Sequence, residues 1–209
     1  MARIIELIIL CLVMNASANA VSSAQTDKSL EYRIKGAFLY NFVKFIDWPD
    51  TFFKKNSSPI VICILGKNPF PDSLLNALTT KKIQNRQLFL QNLSSAKDYP
   101  GCHIIFVSLS EKPYLHHTME HLCNAKALTV SEITGFTKSG GAIQLFTDES
   151  KIRFEINTDA TGKAGLNVSS KLLNLAKKAP PQEDHKEEKE YTQESQNKNS
   201  DKYTDKYND

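Results

Sequence analysis

The sequence predicts an α/β fold: a single domain with a largely parallel, mixed β-sheet, helices on both faces and a C-terminal antiparallel hairpin. Three observations point there. Residues 59–66 and 103–109 are short, nearly continuous apolar runs, as expected of strands buried on both sides. Strand-like and helix-like segments alternate between residues 30 and 176, which favours crossover connections and parallel pairing. Two strand-like segments near the C-terminal end, 142–147 and 151–157, are separated only by Asp148-Glu149-Ser150, a hairpin turn.

Taken in order, Leu30, Ile34, Ala37, Phe38, Asn41, Phe42 and Phe45 recur at helical spacing, which predicts an amphipathic helix over 30–46 stopped before Trp48-Pro49. The 59–66 run is the first buried strand, and Asp72 can cap a helix to residue 78. Strands follow at 86–90 and 103–109. Pro113 opens a helix to residue 124, a strand covers 128–131, the hairpin comes next, and a helix over 159–177 closes the domain.

Composition sets bounds on function. The 209 residues carry 26 Lys+Arg and 23 Asp+Glu, a net charge of +3, too balanced for a strongly basic nucleic-acid binder, so no nucleic acid is expected as a partner. The apolar run at residues 7–14 is about half the ~20 residues a membrane-spanning helix needs. With Arg3 before it and Ala18-Asn19-Ala20 after it, the run reads as a cleavable signal peptide over residues 1–20, which places the mature chain in the periplasm. Cys11 follows Ile9-Leu10 rather than a small residue, so no lipid anchor is expected. Residues 21–29 read as a flexible lead-in and 30–178 as the domain. The stretch 179–209 is charged, nearly devoid of aliphatic residues and repeats Asp-Lys-Tyr, which predicts a disordered tail.

The side-chain inventory argues against an enzyme. Ser169-Ser170 lacks a nucleophile elbow, and its expected role is local backbone hydrogen bonding. His103 precedes a buried strand and reads as structural. His117, His121 and Cys123 form the most tempting metal set, but no Glu completes a His-Glu-x-x-His motif and Cys123 falls on another helical face, so neither a metal nor another cofactor is expected. Arg153 and Glu155 alternate with Ile152, Phe154 and Ile156 and so share a sheet face. With Arg86 and the Gly140-Gly141 turn they are the candidate residues of an alternative reading, a periplasmic small-ligand-binding module serving another membrane sensor or receptor. The first helix carries more aromatic residues than one stripe needs, leaving Tyr40, Lys44 and Trp48 as exposed candidates for partner binding. Loss of Cys11 with the signal leaves Cys63, Cys102 and Cys123, an odd number in an oxidising compartment. Leu115, Met119 and Leu122 share an apolar side with Cys123, which predicts burial of that thiol.

The run from Glu31 to Pro49, EYRIKGAFLYNFVKFIDWP, closely resembles the opening helix of the YfiR-like family of bacterial periplasmic proteins. Segments 62–70, 101–106, 140–141, 152–157, 164–166 and 169–173 resemble later elements of that family in order. The resemblance implies a periplasmic repressor that holds an inner-membrane diguanylate cyclase, or a related membrane sensor, inactive by binding its periplasmic portion. It further implies lowered cyclic di-GMP and biofilm formation, sequestration by an outer-membrane lipoprotein, and a homodimer, because partners of this kind are dimeric. Cys63 and Cys102 match positions where the family has a cysteine pair, so the resemblance implies a bridge between them. The family's second, local pair is missing here.

Overall fold

The computed structural model of the chain describes residues 27–55 and 57–178. The expected signal peptide, most of the lead-in and the whole of the charged tail lie outside the described residues. The chain opens with helix α1 (residues 27–45) and continues through β1 (Ile46–Asp47), β2 (Ile60–Leu65), α2 (Asp72–Thr79), β3 (Lys82–Ile83), β4 (Arg86–Leu93), β5 (Ile104–Val107), α3 (Leu115–Leu122), β6 (Leu128–Ser131), β7 (Ile143–Asp148), β8 (Lys151–Ile156), α4 (Thr158–Lys163), β9 (Asn167–Val168) and α5 (Ser170–Leu175). The fold is the mixed α/β domain the sequence predicts.

Seven strands form the main sheet in the order β3-β4-β2-β5-β6-β7-β8. The five strands from β4 to β7 run parallel, and β3 and β8 are antiparallel edges. Alternation along the central strands makes two cores. Ile62, Ile64, Ile104, Phe106, Leu128 and Val130 pack with Leu39, Phe42 and Val43 of α1, whereas Cys63, Leu65, Ile105 and Val107 pack with Met119 and Leu122 of α3. β2 and β5 are therefore buried on both faces, which is why the sequence reads as nearly unbroken apolar runs there.

After β2 the chain passes through α2 to β4 on one side of β2. It then returns to lay β5 on the other side and continues outward to β6. The loops that follow β2 and β5 thus leave in opposite directions from adjacent parallel strands, which opens a crevice at their carboxyl ends.

Three local expectations are corrected. Asp72 does not cap α2; it is the first residue of the helix, and Pro71 stands at the N-cap. The buried face of α1 is Tyr32, Lys35, Gly36, Leu39, Phe42 and Val43, and the stripe expected to face inward is turned, with Leu30, Ile34, Ala37 and Asn41 exposed. Gly36 accounts for the rotation, because a Cβ there would lie 2.2 Å from the end of the Leu74 side chain of α2, which would have to move aside for any other residue. The closing helix is not continuous. Asn157 caps α4 by accepting from the Ala160 N–H (3.1 Å), Gly165 turns the chain at φ +74°, and β9 pairs antiparallel with β1, Ile46 opposite Val168. Ser169 then caps α5, accepting from the Leu172 N–H at 3.3 Å, the local role expected of it. A second hairpin joins β3 to β4 through Gln84-Asn85, at φ 51° and 63°. It uses the same two-residue positive-φ turn as Glu149-Ser150 (47° and 60°) between β7 and β8.

Candidate functional site

Cys63 of β2 and Cys102, just ahead of β5, form a disulfide with their Cα atoms 5.8 Å apart and both residues buried. The side-chain amide of Gln91 on β4 covers it, 3.3 Å from the Cys63 sulfur. Cys123 is free and exposed. The expected burial fails because the buried face of α3 is Thr118, Met119 and Leu122, and Cys123, the C-cap that still continues the helical path, lies at the edge of that face.

Next to the disulfide, His103 is 4% exposed. Its Nδ1 accepts from the Val61 N–H at 3.1 Å, which puts the proton on Nε2, a buried atom with no hydrogen-bond partner among the described residues. Trp48, Phe52 and Phe53 surround the imidazole at centroid distances of 5.6, 6.4 and 4.8 Å. Burial, and secondarily the Arg86 charge, lowers its pKa to about 4. The expectation that Trp48 is exposed is therefore corrected. It is 8% exposed, its Nε1 donates to the Val43 carbonyl (3.1 Å), and its ring closes the box around His103.

Arg86 holds this corner. Its guanidinium lies 3.6 Å over the Phe53 ring and donates to the carbonyls of Ser58 (2.9 Å) and Lys55 (3.2 Å). On the opposite edge strand, Glu155 accepts from the Thr137 hydroxyl, and Arg153 stands opposite Phe146 with Nε buried and unpartnered in the described structure. Four strands separate β4 from β8, roughly 24 Å across the sheet. Arg86 is therefore not brought together with Arg153 and Glu155, and the three do not line one ligand site. Gly141 belongs to the β8 side, where a Cβ would fall 2.2 Å from the Phe136 ring.

Along α1, the Tyr40 ring is half-buried between the ammonium groups of Lys44 (5.6 Å) and Lys81 (5.4 Å). Lys44 is exposed, as are Leu30 (54%) and Ile34 (42%). On α3, His116 and His117 both face Glu120, at 3.5 and 3.2 Å, on the exposed surface. Among the described residues no group of three or more His, Cys, Asp or Glu side chains is gathered as a metal would require.

Two features lie outside the residues singled out from the sequence. Lys35, 3% exposed, is paired with Glu31 and with Glu132, the residue that follows β6. The Tyr32 hydroxyl donates to the other Glu132 oxygen at 2.7 Å. Burial and then the neighbouring carboxylate push that phenol well above its ordinary pKa. The second feature is a cavity of about 630 Å³ in the crevice between the β2 and β5 loops, walled by the first turns of α1. Its rim is pinned by the Ser108 hydroxyl, which donates to the Lys67 carbonyl (2.6 Å), and by the Lys67 N–H, which donates to the Ser110 hydroxyl oxygen (2.8 Å). Tyr32 packs edge-on to Phe70 (5.8 Å), and Phe70 on Phe106 (4.8 Å). The sequence signal was available in the glycine that ends the first strand and the serine that ends the third.

Among solved structures, a conserved domain protein from Vibrio cholerae O1 biovar El Tor str. N16961 shares 14% identity over 56% of this chain, with a TM-score of 0.41. The alignment spans about half of that chain, 53%. No helix among the described residues is long and apolar enough to cross a membrane. The profile of the family described as YfiR/HmsC-like matches residues 32–177, which run from the buried Tyr32 through every strand of the sheet to the segment that closes it. By that match over most of its length, the chain belongs to the YfiR/HmsC-like family.

Proposed function

We propose that this protein is a periplasmic regulator that binds the periplasmic portion of an inner-membrane diguanylate cyclase, or a related membrane sensor, and holds it inactive. In this reading the protein performs no catalysis. It lowers cyclic di-GMP and biofilm formation, works as a homodimer, and is withdrawn when an outer-membrane lipoprotein sequesters it. The observation that carries the proposal is the family match across the whole domain, from residue 32 to residue 177.

The surface of α1 supports a protein partner. Leu30 and Ile34 stand one turn apart and exposed, although the same helix already buries a complete apolar face. An amphipathic helix with a second apolar stripe has surface to spare for another chain. Tyr40 and Lys44 continue along the same helix, the aromatic ring held between two ammonium groups. The buried disulfide suits an oxidising compartment.

The test is deletion of the gene in its host followed by measurement of cyclic di-GMP. A rise, reversed by the intact gene, is expected. An unchanged level under biofilm-forming conditions would remove the cyclase as the target. Photo-crosslinking from position 34 to membranes, with mass spectrometry of the adduct, names the partner directly.

A further inference from the structure

The cavity at the carboxyl ends of β2 and β5 does not count Leu30, Ile34 or the disulfide in its lining, and its construction has a chemical bias. Gly66, at φ +85°, turns the chain out of β2 and starts the rim. Two serines fix the backbone of Lys67 from both sides, through its carbonyl and its N–H. Ser110 accepts the Lys67 N–H and retains its own hydroxyl proton to donate. Lys28 of α1 and Lys67 both line the space; among the described residues neither is in an ion pair and no Asp or Glu lines it. Glu31 and Glu132 are held by Lys35, and Glu111 packs against Gly66 outside the cavity lining.

The remaining wall is mostly apolar, interrupted by Ser29 and Asn68, with Phe70 buried against Phe106 and Tyr32 locked by Glu132. A space of about 630 Å³ is the size of a small-molecule site, and adjacent strands whose loops diverge are where open α/β sheets place one. We propose that this crevice binds a small organic anion, a phosphate or carboxylate on an apolar body, with the acid between Lys28, Lys67 and the Ser110 hydroxyl and the body against Tyr32 and Phe70. The inference does not depend on which membrane protein is the partner.

The test uses protein exported from its whole gene and titrated with phenyl phosphate, phenylacetate, inorganic phosphate and benzylamine, followed by calorimetry and by amide NMR shifts. One or both organic anions bind saturably at millimolar concentration or below and move the amides of Lys67, Phe70 and Ser110, while benzylamine does not. Lys28→Ala and Lys67→Ala each weaken binding about tenfold, the effect of losing one charge-assisted contact, and Lys97→Ala on the exposed 3-10 turn leaves it unchanged. Absence of saturable binding by either organic anion overturns the proposal. So does benzylamine binding as tightly, inorganic phosphate matching phenyl phosphate, or affinity unaltered in both lysine variants.

Discussion

The indole of Trp48 stands edge-on to the imidazole of His103, centroids 5.6 Å apart and planes at 69°. Trp48 is the only tryptophan in the chain. Its emission therefore reports on the one buried imidazole whose Nδ1 is committed to a backbone N–H.

His103 makes stability depend on pH with a definite sign. Its folded-state pKa is near 4, below the ordinary value of 6.5, so the folded state favours the neutral ring. The stability it contributes is complete above pH 6.5 and is lost as pH falls from 6.5 towards 4, by roughly 3 kcal/mol at most. Calorimetry should show a falling Tm across that window, accompanied by a change in Trp48 fluorescence. His103→Gln should flatten the slope; an unaltered slope in that variant would assign it to carboxylates instead.

The disulfide should carry stability and the third cysteine should not. Cys63→Ser or Cys102→Ser removes about 2–4 kcal/mol, a loss of roughly 5–15 °C in Tm under oxidising conditions. Cys123→Ser is expected to be silent by the same assay. In the native protein a maleimide should label Cys123 alone, and mild oxidation should give a cross-linked dimer that disappears in Cys123→Ser. A peptide map that placed Cys123 in an intrachain bridge would contradict all three outcomes.

Lys35 should tolerate removal only together with its partner. Lys35→Met leaves Glu132 buried beside Tyr32 without a countercharge, at a cost of about 3–5 kcal/mol. The double variant Lys35→Met with Glu132→Gln should recover most of that loss. Urea unfolding of the three proteins decides it, and equal destabilisation in single and double variants would show that the pair is not coupled.

Ile34→Asp separates folding from regulation. The side chain is 42% exposed, so Tm should stay within a degree or two, while cyclic di-GMP should rise as it does on deletion. A variant that still represses would move the partner surface away from this stripe.

Much of the fold was legible because buried parallel strands leave an unmistakable trace. The runs at β2 and β5 are apolar on both faces and could be little else, while β6 buries Thr129 and Ser131 on one face and Leu128 and Val130 on the other. The rotation of α1 was not legible from hydrophobicity, since Leu30 and Ile34 are as apolar as the residues that are buried. What decides it is Gly36 meeting Leu74 and Lys35 meeting Glu132, contacts between segments far apart in sequence. The closing helix was overextended because Gly165 and the two-residue pairing of β9 with β1 interrupt a stretch of good helix formers only once the tertiary partner is known. At the candidate sites, the types of Arg86, Arg153 and Glu155 were noticed and their separation was not, because strand order is invisible along the chain.

The Cys63–Cys102 bond joins two neighbours at the centre of the sheet, yet the chain between them travels out to the sheet's edge and back through α2, β3 and β4. That whole flank is consequently a closed covalent ring. A protease that nicks it once, at the Gln84-Asn85 turn or anywhere else between the two cysteines, leaves every fragment attached to the molecule. Only reduction of the buried bond lets the pieces separate, so a cut at this edge is recorded on a denaturing gel run with thiol and hidden on one run without it.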